Sequence, residues 1–164
     1  MRCNGYMMGH RHPQSFTTCD LGKLLVASEL PRKTFKFATS RRLFAEGDPC
    51  AGVYVVRSGL VDLTLPTRRG ENIRVRVAGP EEVIGLASAI NQAPYCKSAV
   101  ALEETVLDRF GADDVVRFLA AAPDRYTKAL NFLCADADAM QRVLADAKGI
   151  RHTNQPHKSE SLTR

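Results

Sequence analysis

The feature that most constrains this chain is a change of hydrophobic period near residue 110. Before it, apolar residues alternate in short runs; after it, they recur every three or four residues. "TFKFA" places Phe35 and Phe37 on one side. "GVYVVRSGLVDLTL", 52–65, reads as two short strands broken at Ser58-Gly59. "TRRGEN" is a turn. "IRVRVA" alternates, with Ile73, Val75 and Val77 facing in and Arg74 and Arg76 facing out. "KSAVALE" and "TVLDRF" supply two more strands. Short strands separated by glycine-bearing turns predict a small all-β roll or barrel.

The helical segments flank this region. "DLGKLLVASEL", 20–30, puts Leu21, Leu24, Leu25 and Ala27 on roughly one face, with Asp20 as N-cap and Pro31 as the stop. "ADDVVRFLAAA" is a second helix, ending at Pro123. A third runs from Asp124 to about Ala147 and is closed by Gly149. In it, Tyr126, Leu130, Leu133, Ala137, Met140, Leu144 and Ala147 are spaced 4, 3, 4, 3, 4, 3. That heptad stripe fits a helix lying on its own roll, or a parallel helix pair between two chains. The small Ala137 and Ala147 allow close approach and favour the pair, hence a homodimer. Asp136 and Asp138 lie near the seam and work against it.

At 164 residues and 45% apolar content, the chain is long enough to bury a core and short enough for one domain. It divides into a mobile leader over 1–19, a helix plus β-roll over 20–123, a long helix over 124–149 and a disordered tail over 150–164. No run approaches the ~18 apolar residues of a membrane span, and no apolar h-region opens the chain. A cytoplasmic location without membrane contact is therefore expected. Cys3, Cys19, Cys50, Cys96 and Cys134 are odd in number, and no two lie within four residues of each other. That spacing argues against a disulfide framework, a zinc site or an iron–sulfur ligand set.

Charge is uneven. Residues 1–42 carry eight Lys/Arg against two acids, whereas 43–164 carries 15 against 16. The basic residues neither form a run nor alternate with aromatics, which favours a solvated face over a nucleic-acid patch. His10 and His12 fall in the leader, His152 and His157 in the tail. No nucleophile–base pair, metal spacing or phosphate-binding glycine loop of the Walker type is present. No catalytic residue is assigned, and the chain is not read as an enzyme.

Helix, β-roll, short helix and long helix form the outline of the cyclic-nucleotide-binding domain. "LFAEGDPCAGVYVVRSGLVDLTL", 43–65, closely resembles a segment of that family: an apolar pair, x-E-G-D, a short loop, Y-V-V-x-x-G and an apolar strand. Gly47 and Gly59 suit tight turns with positive φ there. "GPEEVIGLASAI", 79–90, resembles the start of its phosphate-binding cassette, and "FGADDVVRFLAAAPDRYTKAL", 110–130, the helix pair after the roll. The resemblance covers about 35–148 and is greatest to the sensory half of Crp/Fnr-type bacterial regulators. It implies a mainly β fold with flanking helices: a double-stranded, jelly-roll-like β-roll plus a long dimerising C-terminal helix.

In that family a short helix N-terminus, an Arg-Ser or Arg-Thr pair and a glutamate after the glycine hold the cyclic phosphate and ribose. The resemblance maps the cassette here onto Gly85, Leu86, Ala87, Ser88, Lys97, Ser98 and Ala99. Lys97 stands where the family has arginine; it keeps the charge and loses the planar fork. Lys97 also fits a plain exposed lysine at a strand start. Leu86 stands where the family has glutamate, so a ribose hydroxyl would meet an apolar side chain, and an unpartnered buried polar group costs about 1–3 kcal/mol. Glu81 stands where a glycine is expected and adds negative charge nearby.

The expected function is a regulatory or sensor module that dimerises through its C-terminal helix, with the cassette 85–99 open to cyclic AMP, cyclic GMP or another small anion. The alternative is a scaffold that binds no nucleotide and acts by protein contact, or by mixed dimers with Crp/Fnr-type transcription regulators. Those regulators carry a helix-turn-helix after the long helix. The fifteen mostly polar residues at 150–164 hold no recognition helix, so direct sequence-specific DNA binding is not expected.

Overall fold

The computed structural model describes residues 15–67 and 70–149. The readings of 1–14 and of the tail lie outside the described residues, together with Cys3 and all four histidines. The chain runs α1 (Ser15–Ala27), β1 (Arg32–Phe37), β2 (Arg42–Phe44), β3 (Val53–Ser58), β4 (Val61–Pro66), β5 (Asn72–Ala78), β6 (Val83–Ile84), α2 (Leu86–Asn91), β7 (Ser98–Ala101), β8 (Thr105–Phe110), α3 (Ala112–Ala120) and α4 (Pro123–Gly149). The strands form two four-stranded sheets, ordered β1-β8-β3-β6 and β2-β7-β4-β5. All pairings are antiparallel. This is the predicted mainly β fold with flanking helices and a long C-terminal helix. The sequence does not announce β2 or β6, which are three and two residues long and carry too little pattern to read.

Two helix boundaries differ from expectation. α1 begins at Ser15, inside the segment read as a leader, so Asp20 lies within the helix and does not cap it. Pro123 opens α4, where its fixed φ and missing N–H cost nothing.

Strand β3 carries the core on both faces. Val53 and Val55 are fully buried against Leu21 and Leu25 of α1, Val115 and Leu119 of α3, and Ala129 and Phe132 of α4. Tyr54 and Val56 face the other way, into the roll, with Phe44, Val61, Leu63, Ile84, Tyr95 and Leu107. A strand covered on both faces reads as a continuous apolar run, which is why "VYVV" does not alternate.

Strand β5 departs from its predicted alternation. Leu63 pairs with Arg76 but Thr64 pairs with Arg74, so Val75 is an extra residue in the ladder. A bulge of this kind shifts the register by one and reverses the facing of the residues beyond it. Val75 and Ala78 are buried, Val77 is exposed, and Arg76 turns inward to partial burial. The expectation that Val77 faces in and Arg76 faces out is corrected on this ground.

Gly47 and Gly59 both adopt positive φ, 85° and 87°. They differ in surroundings. A Cβ on Gly47 would meet nothing within 4 Å, whereas on Gly59 it would come within 2.6 Å of the Glu104 carbonyl oxygen. Gly47→Ala is expected to lose about 1 kcal/mol, the left-handed penalty alone. Gly59→Ala is expected to lose roughly 2–4 kcal/mol, because backbone must also move. Urea denaturation of the two variants measures the difference.

Candidate ligand-binding site

The site forms where the chain leaves β6. Gly85 turns it with φ 86° into the six-residue helix α2. The backbone there is tightly packed: a Cβ on Gly85 would lie 3.0 Å from the Tyr95 ring and 3.2 Å from the Gly52 carbonyl oxygen. Tyr95 holds the far wall. Its ring stacks on Phe44 with centroids 3.8 Å apart. Its hydroxyl donates to the Gly52 carbonyl at 2.8 Å and accepts from the Gly52 N–H at 3.1 Å. Burial drives the phenol pKa well above its ordinary value, so Tyr95 stays a neutral strut.

Gly85, Leu86, Ala87, Ser88 and Lys97 line one cavity with Phe44, Leu63, Arg76, Tyr95, Phe132 and Asp136. Lys97 is 7% exposed and so is not a surface lysine. Its ammonium pairs with the Asp136 carboxylate of α4. Arg76 reaches the same carboxylate at 3.3 Å, the Glu82 carboxylate at 3.3 Å and the Val83 carbonyl oxygen at 2.9 Å. Its guanidinium lies 5.9 Å from the centre of the Phe132 ring. Glu82 is itself held by the Gly79 N–H at 2.6 Å. Two cations and one carboxylate thus line one pocket, and Glu82 holds Arg76 from outside it.

The remaining cassette positions serve the fold. Leu86 is buried in the core with α1, α3 and α4 while touching the cavity wall, so no polar partner stands at that position. Ser88 accepts from the Cys96 N–H at 3.3 Å. The Ser98 hydroxyl accepts from the Glu46 N–H at 2.9 Å, and Ala99 is fully buried inside the roll; neither lines the cavity. Glu81 keeps the left-handed φ of 70° that favours glycine. Its carboxylate pairs with Lys23 of α1 at 3.4 Å and does not line the cavity. Glu82, one residue on, does not line the cavity either but pairs with Arg76, which does.

Among the site residues that escape the sequence reading are Arg76, Phe132 and Asp136. Arg76 is hidden by the bulge at Val75, which no periodicity reports. Phe132 and Asp136 belong to a stripe one position away from the heptad stripe. Arg125, Ala129, Phe132, Asp136, Ala139 and Val143 repeat at 4, 3, 4, 3, 4 and are buried or half-buried. A lone acid in that second, largely apolar stripe is the signal that could have found Asp136. On the heptad stripe, Tyr126, Leu130 and Leu144 are 54%, 44% and 43% exposed. Ala137 is exposed too, while Leu133 and Met140 are half-buried.

Among the described residues no cluster of His, Cys, Asp and Glu could hold a metal ion, and no helix is long and apolar enough to cross a membrane.

No curated protein sequence matches the chain. Among solved structures, a protein from Ruegeria pomeroyi DSS-3 is 20% identical over 80% of this chain and 63% of its own, with a TM-score of 0.56. The chain therefore spans under two-thirds of that relative. The N-terminal domain of a transcriptional regulator from Streptomyces coelicolor A3(2) is 26% identical over 87% of this chain and 90% of its own, with a TM-score of 0.51. The catabolite activator protein of Thermus thermophilus is 24% identical over 76% of this chain and 59% of its own, with a TM-score of 0.62. The family model for the cyclic nucleotide-binding domain matches residues 34–122, which contain the roll, the cassette, Lys97 and α3. This chain belongs to the cyclic nucleotide-binding domain family.

Proposed function

We propose that this chain is a sensor module whose cassette takes a small anion, a cyclic nucleotide included, and passes the event to α4. The observation that carries the reading is the convergence of Lys97 and Arg76, both largely withdrawn from solvent, on the cavity beside Gly85–Ser88. Buried cations of this kind are costly unless an anion meets them, and one carboxylate they share belongs to α4. A ligand that replaces that contact gains differential affinity for a second arrangement of the helix, which is what regulation requires.

The exposed stripe Tyr126, Leu130, Ala137 and Leu144 supports a homodimer formed along α4. The same face would serve mixed dimers with Crp/Fnr-type regulators. The scaffold reading has support of its own: the cavity measures about 30 Å³, whereas small-molecule pockets usually measure roughly 300–1,000 Å³.

Calorimetric titration with cyclic AMP and cyclic GMP, paired with thermal melts, tests the sensor. A ligand at about 100 times its Kd stabilises by roughly 2.7 kcal/mol, and Lys97→Met should weaken it at least ~tenfold. No heat and no melting shift at millimolar ligand would leave the scaffold reading. For the dimer, Leu130→Glu should shift the protein to monomer in sedimentation velocity while its circular dichroism spectrum stays that of the folded chain, because Leu130 is 44% exposed in the monomer.

A further inference from the structure

We infer that α4 supplies the site's own stand-in ligand: Phe132 and Asp136 occupy the pocket as a flat ring and an anion, and an incoming ligand must expel both. The inference rests on the sensor reading of the cassette.

Three observations carry it. The first is charge. Lys97 and Arg76 at the cavity are balanced by Asp136, which lines it with them, and by Glu82, which pairs with Arg76 from outside the lining. Adding an anion with Asp136 in place makes a desolvated site net negative, which is costly. Removing Asp136 first leaves one net positive charge for the newcomer. The second is space. About 30 Å³ holds one or two water molecules, so a phosphate ester cannot enter beside the Asp136 carboxylate. The third is the pairing of groups. Phe132 and Asp136 are one helical turn apart on one face, so they enter and leave together. Asp136 meets both cations, and the Phe132 ring lies 5.9 Å from the Arg76 guanidinium, within cation–π range. The ligand class that replaces both contacts carries one anionic group and one flat ring.

The device links ligand to helix. Asp136 has side-chain exposure of 12% and Phe132 is 3% exposed, so neither can leave the pocket without α4 moving. The exposed stripe of α4 moves with them, because a helix carries its faces together. Glu82 stays, since the Gly79 N–H holds it independently of α4.

The test titrates wild type, Asp136→Asn and Asp136→Ser with cyclic AMP, and with inorganic phosphate against chloride at equal ionic strength. Hydrogen exchange of residues 128–140 is followed with and without cyclic AMP. The expected result is at least tenfold tighter cyclic AMP binding by both variants. Phosphate, but not chloride, should raise their melting temperatures, and cyclic AMP should speed exchange of 128–140 in the wild type. A residue with only a structural role would not raise affinity for anions when removed. Equal or weaker binding by the variants, with the wild type still binding, overturns the stand-in and leaves the sensor reading in place. Slower exchange of 128–140 on binding overturns it too, and needs no variant to fold. No binding by any of the three proteins overturns both readings.

Discussion

Everything in this molecule hangs on a strand that is buried on both sides. β3 sends Val53 and Val55 to the helices and Tyr54 and Val56 into the roll. Each such side chain contributes roughly 1.5–3 kcal/mol of burial. A single strand thereby joins two cores. The consequence reaches the site. β6 pairs with β3 through Tyr54↔Ile84 and Val55↔Val83, so the cassette begins on the shared strand. The packing of α1, α3 and α4 over Val53 and Val55 brings the long helix down beside it.

The pocket that results is a meeting of unlike parts. Its floor is roll core, with Phe44, Leu63 and Tyr95; its lid is helix, with Phe132 and Asp136. Between them stand two cations that solvent does not reach well. Lys97 arrives from the end of the cassette loop, just before β7. Arg76 arrives from β5 because of one extra residue, Val75. Without the bulge Arg76 would point to water beside Arg74, whose exposed pairing with Asp62 at 2.7 Å shows what that alternative looks like. The bulge therefore converts a surface arginine into a site residue and gives the Asp136 carboxylate its second partner.

Much of this was written legibly in the chain. The period change near residue 110, the break at Ser58-Gly59 and the strand pattern from Phe35 to Phe110 gave the fold class. Local pattern suffices there because alternation and helical spacing are properties of neighbouring residues. Gly47 and Gly59 were legible for the same reason: a turn is local. The glycine, the small residues and the lysine of the cassette were also readable, as residues. Their directions were not. Ser98 sits next to Lys97 in sequence, yet it turns its hydroxyl to Glu46 while Lys97 points into the cavity. Leu86 looks like a lost ligand contact and is also a core side chain held by three helices.

The sequence by itself determined a β-roll between helices and a long helix with an apolar stripe. Those follow from spacing along the chain, which local sterics and hydrophobic periodicity translate directly into strands, turns and helices. Tertiary structure alone decided which face of α4 the roll would cover, that Arg76 would turn inward, and that Asp136 would meet Lys97. These depend on contacts between residues 39 and 60 positions apart. No local period encodes them, because a one-residue bulge or a small rotation of a helix rearranges the partners while leaving the pattern unchanged.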